Sequence, residues 1–260
     1  VTLLKNPVFQ QFRKNGALTA EEEKRLLGLE QKPRRVDASD PLWHENDTVD
    51  AFCILKQGWA YSFRNLDSGA KQILKLYLPG DIIGMRDFGF SHRLAGVEMI
   101  DEGVVCPFSH QQLFEVMDYS ATLASGIVAI AVRQQAMLTE RLVYVGRHTA
   151  QQRLAHFLYE LYLRLSRIEA VKDNTFSLPL SQEQVGDALG LSSVHVSRTF
   201  SMLRDEGLVL RDRQRIQLPD PMALASMAEF SDAYLDESMP SPFLDLHGIS
   251  SRALRDAQKA

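Results

Sequence analysis

Apolar and polar positions change rhythm several times along the chain. In Leu18-Thr19-Ala20-Glu21-Glu22-Glu23 a threonine precedes an acidic turn, which marks a helix start, and residues 1 to about 30 read as helical. From about 34 to 110 the pattern is one of short alternating or apolar runs, at 51–55, 59–64, 72–78 and 103–108. Turn signals at Asp67-Ser68-Gly69 and Pro79-Gly80-Asp81 separate them, which predicts an antiparallel sandwich or jelly roll. From Gln111 to Val145 the period becomes helical: Leu123, Ile127, Ile130, Gln134 and Met137 recur by fours and threes, the spacing of a coiled-coil seam. A second stripe, Ala131, Leu138, Leu142 and Val145, lies on a neighbouring face. Such a helix is expected to pack its own domain with one face and a second copy of the chain with the other, the five seam residues making the dimer contact. Gly146-Arg147-His148-Thr149 breaks it. A further helix, from Ala150 to about Arg167, carries Leu154, Phe157, Leu158, Leu161 and Leu165 on one face, and 169–175 is a polar loop.

The most specific stretch follows. Ser181 with Gln184 forms a capping box, Val185 and Leu189 give the helix an apolar edge, and Gly190 stands where the chain must turn. Gly186 is small where two helices must cross closely. Ser192 caps a second helix whose inward side is Val196, Phe200 and Leu203. Its other side carries Ser193, Val194, Ser197 and Arg198, short side chains around one long fork, with His195 beside them. Arginine can bond guanine O6 and N7 together. The alternating run 208–218 holds Arg211, Arg213 and Arg215 against Asp212 alone, a wing suited to phosphates. The expected DNA contacts are therefore Ser192, Ser193, Val194, His195, Ser197, Arg198, Arg211, Arg213 and Arg215. After Pro221 a short amphipathic helix is expected over 222–235, then a Pro- and Ser-containing tail.

Composition refines this only a little. With 260 residues, 45% of them hydrophobic and 24% charged, the chain suits two domains with sizeable cores. A net charge of −4 and a pI near 6.0 give no global positive field, so DNA contact must come from a local basic patch. The two cysteines, Cys53 and Cys106, have no CxxC spacing and read as buried reduced thiols. No 18-residue apolar run occurs, and the first residues lack the apolar core of a signal peptide, so a cytoplasmic protein without a membrane partner is expected. The expected domains are 1–110 (sensory, with its leading helix), 111–146 (long dimerisation helix), 147–237 (DNA-binding) and 238–260 (tail).

Both halves together resemble the CRP/FNR family of bacterial transcription regulators. The marks are Gly58-Trp59-Ala60, Pro79-Gly80-Asp81 with Gly84, Arg93-Leu94-Ala95, and Val196-Ser197-Arg198. The resemblance covers roughly residues 15 to 220. It implies an α+β chain: an N-terminal antiparallel β jelly roll of the cyclic-nucleotide-binding type, a long dimerisation helix and a C-terminal winged helix-turn-helix. It also implies a homodimer on a near-palindromic operator in double-stranded DNA, and RNA polymerase as a partner if the protein activates.

The departures bear on the effector. In cAMP-binding members a Glu after the glycine holds the ribose and an Arg-Ser pair holds the phosphate. Here Met85 follows Gly84, and Leu94 follows Arg93. Losing two directed polar contacts, at roughly 1–3 kcal/mol each, argues against cAMP. Gly84, Met85, Arg93 and Leu94 remain the candidate effector pocket for an unknown small ligand; Arg93 either still binds an anion or is a surface or salt-bridged residue in a pocket put to other use. The N-terminus has no cysteine group for an iron–sulfur cluster, and haem stays open only through His44, His92 and His110. No cofactor is expected. In the recognition segment Val194 stands where many members have Glu, so preference beside the Arg198 contact should shift, with valine suited to a thymine methyl. Two rivals are a metal-dependent cupin-like enzyme, for which the histidines are too sparse, and an interaction protein whose helix-turn-helix no longer binds DNA.

Overall fold

The structure, a computed structural model, describes residues 18–235. The reading of 1–17 as helical and the tail from 238 onward lie outside those residues. Helix α1 (Ala20–Gly28) is closed by a capping box between Thr19 and Glu22. Eight strands follow: β1 (Arg34–Val36), β2 (Pro41–Trp43), β3 (Ala51–Gln57), β4 (Ala60–Asn65), β5 (Lys71–Tyr77), β6 (Ile82–Ile83), β7 (Gly96–Met99) and β8 (Gly103–Ser109). They form two antiparallel four-stranded sheets, ordered β1-β8-β3-β6 and β2-β7-β4-β5, the jelly roll that the short alternating runs predict.

Alternation along β3 explains how the first sheet is buried on both faces. Phe52 and Ile54 face outward with Phe108 and Cys106 of β8, against the helices that follow the roll. Cys53 and Leu55 face inward and meet Tyr77, Val97, Met99 and Val105. The two cysteines thus sit on opposite faces, buried and unbridged, and burial pushes the Cys53 thiol up to about 12.

One long helix is expected over 111–146; the chain forms two. Helix α2 (His110–Tyr119) ends at Ser120, whose extended backbone (φ −155°, ψ 150°) starts α3 (Ala121–Arg147). Ser120 Oγ accepts the Leu123 N–H (3.2 Å) and donates to Glu22 Oε1 (2.6 Å), so the break is a cap tied back to α1.

The expected dimer seam is corrected in the same place. Leu123, Ile127 and Ile130 are at most 3% exposed and pack with Phe52, Ile54, Ile82 and Phe108 of their own jelly roll. Gln134 Nε2 donates to the Ile82 carbonyl (3.0 Å), and Met137 is half-buried. Leu123, Ile127, Ile130 and Gln134 thus belong to the intramolecular side of α3, which joins Leu26 of α1 and Leu113 and Val116 of α2 in covering that sheet face; half-buried Met137 lies beyond this cluster. The exposed side carries Val128 (53%), Val132 (60%) and Leu142 (74%), with Gln135 and Thr139 between them. By length and mean hydropathy (1.2 over 18 residues) α3 would also suffice to cross a membrane, which the search for an uninterrupted apolar run does not reveal. Its Leu123–Ile130 side is nevertheless committed to the protein core.

The second domain opens with α4 (Ala150–Arg167), capped by Thr149 and Gln152, after the chain turns at His148. Then come β9 (Thr175–Ser177), α5 (Gln182–Leu189), α6 (Ser193–Asp205), β10 (Leu210–Asp212), β11 (Arg215–Gln217) and α7 (Pro221–Met227). Strand β9 falls at the end of the stretch read as a loop and joins the hairpin as its third strand, in the order β10-β11-β9. Helix α7 is shorter than the expected 222–235. Between α5 and α6, Gly190 takes φ +66°, and a Cβ on Gly186 would strike the Leu191 carbonyl.

The two domains share one apolar core, in which Tyr61, Phe63, Ile73 and Leu76 of the roll meet Leu154, Leu158, Val185 and Leu189. Strand β5 is an edge, and its carbonyls are taken by side chains rather than by another strand. Arg141 Nη1 donates to Leu74 O (2.9 Å), and Arg164 Nη2 donates to Leu76 O (3.0 Å) and Asp81 Oδ2 (2.9 Å). Gln72 Nε2 donates to Asp187 O (2.6 Å) on α5.

At this junction His156 is 1% exposed, with Tyr144 and Phe230 at 4.2 and 4.6 Å between ring centres. Among the described residues neither ring nitrogen has a hydrogen-bond partner, the Glu140 carboxylate standing 3.7 Å from Nε2. Burial pushes its pKa down to about 4, although Glu160 pulls the other way. A depressed histidine favours folding above its unfolded value near 6.5, and that contribution is lost as pH falls toward 4. Of the stability difference between pH 7 and pH 4, roughly 3 kcal/mol should therefore vanish in His156→Leu, as read by urea unfolding at both pH values. A second expectation concerns the helix crossing: Gly186→Ala should lower stability by about 1–3 kcal/mol through overpacking, measured by thermal unfolding at pH 7.

Candidate nucleic-acid interface

The recognition segment begins where Ser192 Oγ accepts the His195 N–H at 3.3 Å. The first turn of α6 then stands clear of the protein. Ser192, Ser193, Val194 (66% exposed), His195, Ser197 and Arg198 are all exposed, while Val196, Phe200 and Leu203 anchor the opposite side. Thr199 is buried and returns its hydroxyl to the His195 carbonyl (2.7 Å), stiffening the turn below the exposed face. No hydrogen bond or ion pair to another described residue holds the Arg198 guanidinium. The sequence-predicted residues of the helix are therefore brought together on one outward surface.

The wing divides. Arg213 and Arg215 are exposed, and Arg213 sits at the hairpin tip with φ +53°, a left-handed conformation costing about 1 kcal/mol for a residue with a Cβ. Arg211 departs from expectation. It is half-buried, its guanidinium lies 4.5 Å from the Phe200 ring centre, and its Nε donates to the Arg213 carbonyl (3.2 Å). Burial lowers its pKa. Arg211 thus braces the wing on α6 instead of standing free toward phosphate, because β10 sets it against the Phe200 ring of that helix.

Between wing and helix runs a groove of about 360 Å³, lined by Gln182, Ser197, Ser201, Arg204 and Arg213 among others. Gln182, Ser201 and Arg204 were not anticipated. For two of them a signal existed: positions 197, 201 and 204 share one side of a helix by their spacing of four and three.

In the first domain the four candidate effector residues do not form one pocket. Arg93 is 1% exposed and locked in place. Its guanidinium lies 3.9 Å from the Trp43 ring centre, donates to the Ala51 carbonyl, and faces Asp50 (3.5 Å) and Asp87 (3.6 Å). Gly84 sits beneath it at φ +97°, and a Cβ there would come 3.2 Å from Arg93 Nη1. Met85 is buried on the side of α3, and Leu94 is 37% exposed at the surface. Of the two readings of Arg93, the salt-bridged one describes this geometry, except that the residue is interior rather than on the surface. Among the described residues no three His, Cys, Asp or Glu side chains come together as metal ligands.

Comparison with known proteins accords with this layout. Residues 33–120 match the family profile of the cyclic nucleotide-binding domain, and residues 152–227 that of the Crp-like helix-turn-helix domain. The chain is 29% identical over 205 residues to the nitrogen fixation regulation protein FixK of Bradyrhizobium diazoefficiens, covering 78% of this chain and 85% of that one. It is 28% identical over 197 residues to the transcriptional activatory protein AadR of Rhodopseudomonas palustris, covering 75% and 80%. The solved structure of FixK2 from Bradyrhizobium japonicum superposes with a TM-score of 0.70 at 22% identity, over 77% of this chain and 98% of that one. With both domains matched and an exposed reading helix in place, the chain belongs to the CRP/FNR family of DNA-binding transcription regulators.

Proposed function

We propose that the protein is a homodimer that reads a near-palindromic operator, acting in the cytoplasm where that DNA lies. The observation that carries this reading is the outward face of α6, with Arg198 unpartnered among the described residues beside the wing. Arg198 bonds the O6 and N7 of a guanine, and Val194 packs on a neighbouring thymine methyl. Ser192, Ser193, His195, Ser197, Arg213 and Arg215 bind phosphates or water around it. Two such helices enter major grooves about 34 Å apart when a molecular dyad relates them. RNA polymerase is the partner if the protein activates.

The surface that supports dimerisation is the outer side of α3. Val128, Val132, Gln135, Thr139 and Leu142 follow each other by four, three, four and three, and the three hydrophobic ones are all more than half exposed. The effector, if there is one, is not cAMP: Met85 cannot accept a hydrogen bond from a ribose, and Arg93 is withdrawn beneath Trp43, facing Asp87 and giving Nη2 to the Ala51 carbonyl, although its Nε and Nη1 make no hydrogen bond among the described residues.

Two measurements test the reading. On an operator selected from random DNA, Arg198→Ala should weaken binding by about 1–3 kcal/mol, or roughly 5- to 150-fold, and relax the choice of base at one position per half-site. Unchanged affinity in fluorescence anisotropy would restore the rival of a DNA-inactive module. In sedimentation velocity, Leu142→Glu should shift the protein toward monomer and abolish cooperative occupation of the two half-sites.

A further inference from the structure

Strands β4 and β5 shift register between Ser62 and Phe63, leaving Leu74 unopposed. Such a bulge re-aims the side chain that follows it. Here it pairs Lys75 with Ser62 and turns both toward the interior beside Tyr77. Lys75 is 7% exposed, yet among the described residues its ammonium has no hydrogen bond and no carboxylate within 4 Å; the face of the Tyr77 ring lies 4.7 Å from Nζ to ring centre. A lysine so largely withdrawn from water without an ion-pair partner is costly, and proteins seldom keep one for packing alone.

Lys75 lines a cavity of about 170 Å³ between the jelly roll and α3. Arg86 supplies a second cation, Ser62, Gln134 and Gln135 supply polar groups, and no carboxylate lines the space. Arg86 is only loosely engaged, its Nε lying 3.9 Å from Asp87. Of the four residues expected to form an effector pocket, Met85 alone lines this cavity, and Arg93 takes no part.

We infer that this cavity is an anion site, in which Lys75 and Arg86 receive the carboxylate or phosphate of a small metabolite. Its volume lies below the range of about 300–1,000 Å³ usual for drug-sized ligands, so the occupant has only a few heavy atoms. The carboxylates near Lys75 do not already neutralise it. Asp81 and Glu160 are engaged by Arg164 (2.9 and 3.5 Å), and Arg164 and Arg141 add positive potential from α4 and α3. Burial holds Lys75 down to about 8, with Asp81 and Glu160 opposing and Arg164 and Arg141 reinforcing the shift. An arriving anion restores the proton. Gln135 stands at this cavity and also in the outer stripe of α3, so occupancy would be felt at the proposed dimer contact.

Amine acetylation of the wild-type protein at pH 8, read lysine by lysine by mass spectrometry, tests this without any variant. Inorganic phosphate or succinate, each against chloride at equal ionic strength, should slow labelling of Lys75 at least fivefold and leave the exposed Lys24 unchanged. Whichever anion protects identifies the headgroup class. In parallel, that anion should raise the Tm of the wild type and not of Lys75→Met. The wild-type shift should shrink between pH 7.5 and 9.5 as Lys75 loses its proton. Equal protection of all lysines, a Tm rise that survives Lys75→Met, or no response to either anion would overturn the assignment. None of these readouts involves DNA, so they stand or fall apart from the operator-binding reading.

Discussion

The edge of strand β5 is the constraint around which the two domains are arranged. An edge strand presents carbonyls that must find donors, and a jelly roll has no further strand to offer. The donors come from outside the sheet, Arg141 at the end of α3 and Arg164 from the middle of α4, while Gln72 of β5 itself reaches out to a carbonyl of α5. Because α4 and α5 belong to the DNA-reading domain, satisfying the roll's backbone also fixes the orientation of the reading helix. The apolar core that continues across the junction supplies the area; the arginines supply the register. The shape of β5 and the placement of α6 thus rest on one continuous set of contacts.

Helix α3 divides two duties between two faces. Its inner face completes the core of the roll, and its outer face is free to meet a second chain. Periodicity revealed two apolar stripes but could not say what covers each. The purer stripe, Leu123, Ile127 and Ile130, went to the protein's own core, where an apolar surface must be dry. The exposed row of Val128, Val132, Gln135, Thr139 and Leu142 is neither of those stripes, sharing only Leu142 with the second (Ala131, Leu138, Leu142 and Val145), and its dilution by Gln135 and Thr139 hides it from apolar periodicity.

What was legible in the sequence followed from local chemistry. Capping by Thr19 and Ser181, the turn at Gly190 and the split between the buried and outward sides of α6 all rest on residues close in sequence. The break at Ser120 was missed because apolar periodicity runs through it on both sides. The fate of Arg93 was not readable, since its neighbours Trp43, Asp50 and Asp87 come from separate loops and strands that only folding assembles. Lys75 was hidden by a bulge, which alternation alone cannot detect. Arg211 was misjudged for a similar reason: its charge is evident from the sequence, but the Phe200 ring it rests on is supplied by another element.

The covering of β5 has a consequence for how the molecule can move. Any excursion that swings the winged module away from the roll bares a raw strand margin together with the aromatic surface of Tyr61 and Phe63. Such a margin is a template for adhesion between molecules. An undocked protein would therefore be sticky as well as open, and solubility would limit how long it could persist unless a nucleic acid or a neighbouring protein shielded the bare strand.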